Sequence, residues 1–359
     1  MPRATKSSKP ARSKLGALAA LPHELELLLC ELLVIDHSVY ETLKHLLEAG
    51  TAWRVREIPK KHGVRVIHAP SDPLMNVSRG ILRQVLNHLP VHRAAHGCRT
   101  HTSVITNARR HAGFAKAVYT LDLENAFPST TRKRLEKDLH PRLITHLAEQ
   151  GLEEAQTVLI VNALIALMLV DDRLPQGFPT SPAVLNLVCF PLDHAMSRAL
   201  ADITKETGQA FRYTRYVDDL TISTDAPQIH TTVRRRIRKV VSQQGWKLKR
   251  SKSTYYGEAE DGDPERSTKM PVVTGLVLQH DGRVTIPRRR MQTWKEFIEG
   301  ILDKQELSPE ERDKLTGIIG FVGMVYEDVL PGIVRGPYLE AKTKFGIRDR
   351  QERQVYFED

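Results

Sequence analysis

The chain has 359 residues and a formal charge of +10, with 53 Lys and Arg against 43 Asp and Glu, so its expected partner is an anion, with nucleic acid foremost. Hydrophobic residues at 41% and charged residues at 27% exclude a disordered, collagen-like or membrane-embedded body. The three cysteines, Cys30, Cys98 and Cys189, are too far apart for a zinc motif and odd in number for a disulfide framework, which fits a reducing cytoplasm.

In chain order, residues 1–20 read as a basic flexible tail, with Arg3, Lys6, Lys9, Arg12 and Lys14 and no acid among the first 14. Leu25, Leu28, Leu29, Leu32 and Leu33, then Leu43, Leu46 and Leu47, recur at helical spacing up to Gly50. Residues 54–69 alternate basic and apolar around His62-Gly63 and predict a basic hairpin. Helical spacing returns over 77–89. Val118 to Leu123 predicts a strand that closes on Asp122 and Glu124. Residues 141–170 predict helix, and their apolar run from Val158 to Val170 falls short of the ~20 residues that cross a bilayer, so no membrane partner is expected. A turn-rich segment, Leu174 to Pro182, precedes a helical run from Ala183 to Ala201. Phe211 to Ser223 reads as a hairpin with Val217-Asp218-Asp219 at its tip. Residues 228–252 carry nine Lys or Arg and no acid, and the chain from Arg288 onward is mostly helical.

Asp122 ends one expected strand and Asp218-Asp219 tips another. If the strands are neighbours, three carboxylates converge, each raising the others' pKa, and divalent cations reverse that penalty. Two Mg²⁺ ions suit such a cluster, because Mg²⁺ takes oxygen ligands from one or two carboxylates and substrate phosphates in phosphoryl transfer. An isolated Asp-Asp pair more often marks a solvated turn, and that is the reading for Asp171-Asp172. What separates Asp218-Asp219 is the apolar, β-rich sequence on both sides.

The succession Leu121-Asp122-Leu123-Glu124-Asn125-Ala126-Phe127, Pro175-Gln176-Gly177-Phe178-Pro179-Thr180-Ser181-Pro182 and Tyr216-Val217-Asp218-Asp219 resembles motifs A, B and C of reverse transcriptases. Gly245-Trp246-Lys247-Leu248 with Lys252 resembles motif D, and the hairpin with Lys60, Lys61 and Arg65 the fingers motif. Asn107-Ala108-Arg109-Arg110-His111 and Val273-Thr274-Gly275 resemble two elements of the bacterial retron enzymes. Cys98 stands where an aromatic is usual, Ala126 replaces the first of two aromatics, and Gln279 stands where Asn is common; none of these removes a catalytic group.

The resemblance implies an α+β, right-hand polymerase. Its N-terminal helix and fingers would occupy 21–115, an antiparallel-sheet palm 116–140 and 176–287 around a helical insertion at 141–175, and a helical thumb 288–359. It implies RNA-templated DNA synthesis with two Mg²⁺ ions held by Asp122, Asp218, the weaker ligand Asp219 and the carbonyl of Leu123. Phe127 would exclude ribonucleotides at the sugar's 2′ position, Gln176 and Gly177 would meet nucleotide and template, Lys61 and Arg65 the triphosphate, and Lys252 would protonate the departing pyrophosphate. Asn107, His111, Val273, Thr274 and Gly275 would recognise RNA stem-loops, unless Asn107 and His111 form a buried pair that only braces the palm. Arg288, Arg289 and Arg290, with the 234–252 stripe, would neutralise phosphates of an RNA–DNA hybrid. The implied partners are dNTPs, an effector protein and a structured non-coding RNA primed from an internal 2′-hydroxyl, giving RNA-linked single-stranded DNA in phage defence. The alternatives are an intron-like or diversity-generating reverse transcriptase, and a catalytically silent RNA-binding scaffold.

Overall fold

Apolar stripes and turn residues divide the chain much as their spacing requires, and the computed structural model describes residues 18, 21–59, 63–258, 263, 265–267, 269–327 and 330–347. The basic tail, apart from Leu18, lies outside the described residues, as do Lys60 and Lys61. The first helical stretch is two helices, α1 (His23–Leu33) and α2 (His37–Glu48), separated where Val34 turns left-handed and the Asp36 side chain caps α2 by accepting from Ser38 N at 2.7 Å. β1 (Trp53–Pro59) and β2 (Val64–Pro70) form the expected antiparallel hairpin, with Val55, Ile58, Val64 and Val66 exposed. α3 (Asp72–Gln84) and a short 3₁₀ turn follow, then α4 (Val104–Arg109), which opens with a Ser103/Thr106 capping box.

β3 (Ala117–Asp122) is the middle strand of a five-stranded sheet ordered β4-β5-β3-β6-β7. Its antiparallel neighbours are β5 (Asp219–Thr224) and β6 (Thr254–Tyr256); β4 (Phe211–Tyr216) forms one edge and β7 (Arg266–Ser267) the other. Between β3 and β4 run α5 (Ala126–Ser129), α6 (Arg132–Asp138), α7 (His140–Ala148), α8 (Glu154–Met168), α9 (Ser181–Val188) and α10 (Phe190–Thr207). The stretch expected to be helical over 141–170 is interrupted at Gly151, whose φ of +91° a helix does not accommodate. The expected run 183–201 divides at Cys189, just before Pro191 in the first turn of α10.

α11 (Thr231–Gln243) crosses back after β5. A small sheet of β8 (Val272–Val273), β9 (Leu276–Leu278) and β10 (Val284–Thr285) leads into α12 (Arg288–Leu302), α13 (Pro309–Tyr326) and α14 (Gly332–Lys344). One apolar core joins the inner face of the large sheet to α8 and the N-terminal helices. A second links Ile105, Ala108 and Val118 to β8–β10 and the C-terminal helices, so α4 lies where the two halves meet. No described helix is long and apolar enough to cross a membrane.

Candidate active site

β3 delivers Asp122 opposite Asp219 in the antiparallel register, and the two-residue loop Val217-Asp218 joins β4 to β5 beside them. Backbone bonds fix this corner: Leu123 N donates to Asp218 O at 2.9 Å, Glu124 N to Lys247 O at 2.8 Å and Lys249 N to Asp122 O at 2.9 Å. The segment after α11 is thereby clamped onto the end of β3, and it brings the Lys252 ammonium onto the buried Asp122 carboxylate.

The electrostatics are those of an undercompensated acid cluster. Asp219 opens to solvent, yet enclosure by protein and then the charges of Asp218 and Asp122 push its pKa up to about 7. Burial and Asp122 raise Asp218 too, with Lys252 and Arg65 pulling the other way. Burial would lower the Lys252 pKa, but its hydrogen bond to Asp122 and the three carboxylate charges raise it, so it stays an ammonium. Among the described residues, only His23, Glu26 and His37 bring three ligand atoms of His, Cys, Asp or Glu within 4.8 Å of one another, and Glu26 there already holds Lys44 at 2.8 Å. The three aspartates do not all come that close together, although the Asp219 carboxyl meets that of Asp122 in a side-chain hydrogen bond. Their donor set of hard oxygens, with its unmet demand for positive charge, fits divalent cations, which reverse transcriptases generally use.

A buried network that the motifs did not reveal supports the turn. Val217 has a φ of +59°, an unfavourable conformation for a β-branched residue, at the first position of the hairpin loop. Arg215, fully buried, donates to Val217 O at 2.8 Å, to Asn186 Oδ1 at 3.0 Å and to both carboxylate oxygens of Asp193 at 2.9 and 2.7 Å. Asn186 in turn donates to Gly97 O at 2.7 Å. A Cβ on Gly97 would come within 2.5 Å of Val217 N, so only glycine lets the His96-Gly97 segment lie under the loop. No signal in the strand itself marks this network, because its partners lie on two helices distant in the chain.

Arg65 lies on β2, and its charge reaches Asp218. Gln176 O accepts from His68 N at 2.7 Å, tying the turn-rich segment to the hairpin. Gly177 was expected to let backbone approach a nucleotide. At a φ of +117° it also admits β2, since a Cβ would lie 2.5 Å from His68 O. Phe127 sits half-buried on α5 against the main core, one short turn beyond the Asp122 corner.

His111 is fully buried with its ring nitrogens 2.7 Å from Ser223 Oγ and 2.8 Å from Thr214 Oγ1, so it braces β4 and β5 and offers no edge to RNA. Asn107 is equally buried, and its side-chain amide meets no hydrogen-bond partner among the described residues. Val273 is buried in β8. Thr274 and Gly275 are not part of a strand as expected: they are the two-residue turn between β8 and β9, both with positive φ. Thr274 Oγ1 donates to Val104 O at 2.9 Å. Together with Asp122, Asp219 and Lys252, Thr274 and Gly275 line one cavity of about 460 Å³. Arg290 lies beside Gly275, and Arg288, Arg289 and Arg290 are all exposed in the first turn of α12.

The expected phosphate-binding stripe on α11 is corrected in part. Arg234 is buried against Asp263 and Glu265, Arg238 binds Glu265 at 2.8 Å and Tyr119 Oη at 2.8 Å, and Arg236 pairs with Glu206. These three hold the β6–β7 edge and α10 in place. Asp172, in the turn beyond α8, pairs with Arg132 at 2.7 Å.

Residues 58–271 match the family model of the reverse transcriptase (RNA-dependent DNA polymerase). The chain is 31% identical over 295 residues to the retron Mx162 reverse transcriptase of Myxococcus xanthus, covering 74% of this chain and 56% of that one. It is 32% identical over 275 residues to the retron Mx65 reverse transcriptase of the same organism, covering 75% and 60%. The chain therefore spans less than two thirds of the length of either relative. A telomerase structure from Candida albicans in complex with a fragment of telomeric RNA aligns over 85% of this chain and 58% of its own, at 14% identity and a TM-score of 0.47. On the extent of the family match, the chain belongs to the reverse transcriptases, and its relatives are those of bacterial retrons.

Proposed function

We propose that the chain is an RNA-directed DNA polymerase of retron type, which copies a structured non-coding RNA into single-stranded DNA joined to that RNA. The observation that carries this reading is the meeting of Asp122, Asp218 and Asp219 at one corner of the sheet, with Lys252 on Asp122, Arg65 within electrostatic reach, and Thr274-Gly275 on the same cavity wall. A merely RNA-binding scaffold has no use for three mutually repelling acids in the floor of a basic protein.

In the reaction a primer hydroxyl attacks the α-phosphorus of a dNTP, a P–O bond forms, the bond to the β-phosphate oxygen breaks and pyrophosphate leaves. Asp122, Asp218 and Asp219, with the Leu123 carbonyl, would hold two Mg²⁺ ions, which when bound supply charge for the attacking and leaving oxygens. Lys252 remains an ammonium at neutral pH, so it has a proton to give the leaving pyrophosphate. Arg65 on the hairpin neutralises the triphosphate, and Lys61, which lies outside the described residues, is the second cation that the motif resemblance assigns to it. Phe127 limits the room at the sugar's C2′, and Gln176-Gly177 keeps the hairpin registered over the site.

Arg288, Arg289 and Arg290 crowd three cations into the first turn of α12, where the helix dipole already favours anions and no acid offsets them. A phosphate backbone passing this helix end would relieve that repulsion. Thr274 and Gly275 then face the strand as it enters the cavity, while His111 acts from beneath by bracing β4 and β5. The direct test is extension of a primer on an RNA template with dNTPs and Mg²⁺, together with sequencing of nucleic acid that co-purifies with the protein. RNA-linked DNA would support the retron reading; RNA binding with no extension would favour the scaffold.

A further inference from the structure

Away from the carboxylates, a cavity of about 550 Å³ opens between α10 and the edge strand β4, and it shares no lining residue with the catalytic cavity. Arg93, Arg110 and Arg212 line it together with the hydroxyl residues Ser197 and Thr204, and no Asp or Glu does. All three arginines are exposed, and none pairs with a carboxylate among the described residues. The contrast with α11 is direct, since Arg234, Arg236 and Arg238 each have one.

The Arg212 guanidinium is also held ready: it lies 4.0 Å from the centre of the Phe114 ring and donates to Arg110 O at 2.9 Å. That stacking fixes the plane of the fork, so little side-chain entropy is lost when its remaining N–H groups meet an anion. Buried His111 registers the local field, its pKa pushed down to about 3 by burial first and then by His96, Arg212 and Arg110. Converging guanidiniums with neighbouring hydroxyls are the groups that bind phosphate and ribose. An acidic protein partner would instead need an apolar anchor point, and none of the large exposed apolar side chains lies here.

We propose that Arg93, Arg110 and Arg212 form a second RNA-binding site, which takes the phosphodiester backbone of the folded RNA outside the template-primer cleft. The proposal rests on the reading of the chain as an RNA-binding polymerase. It explains how one RNA can be held by its structured part while another part passes the carboxylates.

The test uses the full chain with its cleft saturated by unlabelled template-primer duplex, and a labelled RNA stem-loop with single-stranded flanks as the probe. Wild type should bind the probe, and Arg93→Gln, Arg110→Gln, Arg212→Gln combined should weaken binding at least tenfold. The slope of log affinity against log salt should fall by about 2, from three lost phosphate contacts at roughly 0.7 each. The double variant Arg93→Gln, Arg110→Gln, which keeps the Arg212–Phe114 stack, should lose part of the affinity with an unchanged melting temperature. Extension of the generic template-primer should be unaffected in all of them, so a failure of the polymerase reading would be visible separately. Unchanged probe affinity in the triple variant would overturn the site. So would displacement of the probe by millimolar inorganic phosphate but not by chloride of equal ionic strength, which would make it a small-anion pocket, or undiminished RNA binding alongside lost capture of an acidic polypeptide.

Discussion

At the end of β3, three carboxylates share one ammonium, Lys252, and the distant guanidinium of Arg65. Along α11, Arg234, Arg236 and Arg238 each face an acid. Both stretches read as runs of one sign, and the difference lies in what folding brings to them. Charge that the fold leaves unbalanced asks for a ligand from outside. Charge that the fold balances is part of the scaffold.

The comparison can be broken most forcefully at α11. Arg234→Met should cost about 3–5 kcal/mol of unfolding free energy, because the buried Asp263 carboxylate is left without its guanidinium, while Glu265 keeps Arg238. Denaturant titration would measure it, and the salt dependence of RNA binding should not change. A small stability loss with a shallower salt slope would return Arg234 to the RNA surface.

At the carboxylates the sign should reverse. Asp219→Asn removes one of the repelling charges, so in chelator at pH 8 the variant should melt higher than wild type while losing DNA synthesis by roughly a thousandfold, equivalent to ~4 kcal/mol of transition-state stabilisation. A lower melting temperature would mean that the acids are satisfied within the fold.

The same imbalance sets a pH dependence. Asp219 has a folded pKa raised to about 7, and Asp218 is raised as well, so the folded protein holds protons that the unfolded chain has released above the ordinary carboxylate range. Their contribution to stability is full below that range and is lost as pH rises through about 7. Metal-free protein should therefore melt progressively lower between about pH 4 and 7 on their account, and Mg²⁺ should raise the melting temperature more at pH 8 than at pH 5. A Mg²⁺ effect equal at both values would contradict the assignment.

Smaller effects sharpen the edges of the site. Phe127→Ala should raise the ratio of ribonucleotide to deoxyribonucleotide incorporation by roughly tenfold or more if the half-buried ring limits the sugar pocket. An unchanged ratio would leave Phe127 as core. Arg288→Gln should lower the salt slope of RNA binding by about 0.7, one phosphate contact.

Much of this was legible in the sequence because it depends on local pattern. The apolar run Val118–Leu123 and the two β-rich halves of Phe211–Ser223 located the strands and placed the acids at their ends, and the motif order supplied the pairing of those strands. What resisted reading depends on partners far along the chain. Arg215 finds Asp193 and Asn186 on two different helices, and nothing in its own strand announces a fully buried ion pair. Arg234 meets its acids only after β6. His111 could equally meet RNA or brace the palm on its sequence alone, and the bracing role follows from the packing of β4 and β5, whose Thr214 and Ser223 hold its ring. The motif Val273-Thr274-Gly275 reads as one strand, but two successive left-handed residues make Thr274-Gly275 a turn.

The central claim is that the Asp122, Asp218 and Asp219 corner performs RNA-templated DNA synthesis. The most direct measurement is single-turnover extension of a primer on an RNA template with dNTPs and Mg²⁺, by wild type and by Asp218→Asn, with RNA affinity and melting temperature recorded on the same preparations. The predicted result is extension by wild type and a loss of about a thousandfold in the variant, with RNA binding retained and the fold intact. Extension at the wild-type rate by well-folded Asp218→Asn would contradict it.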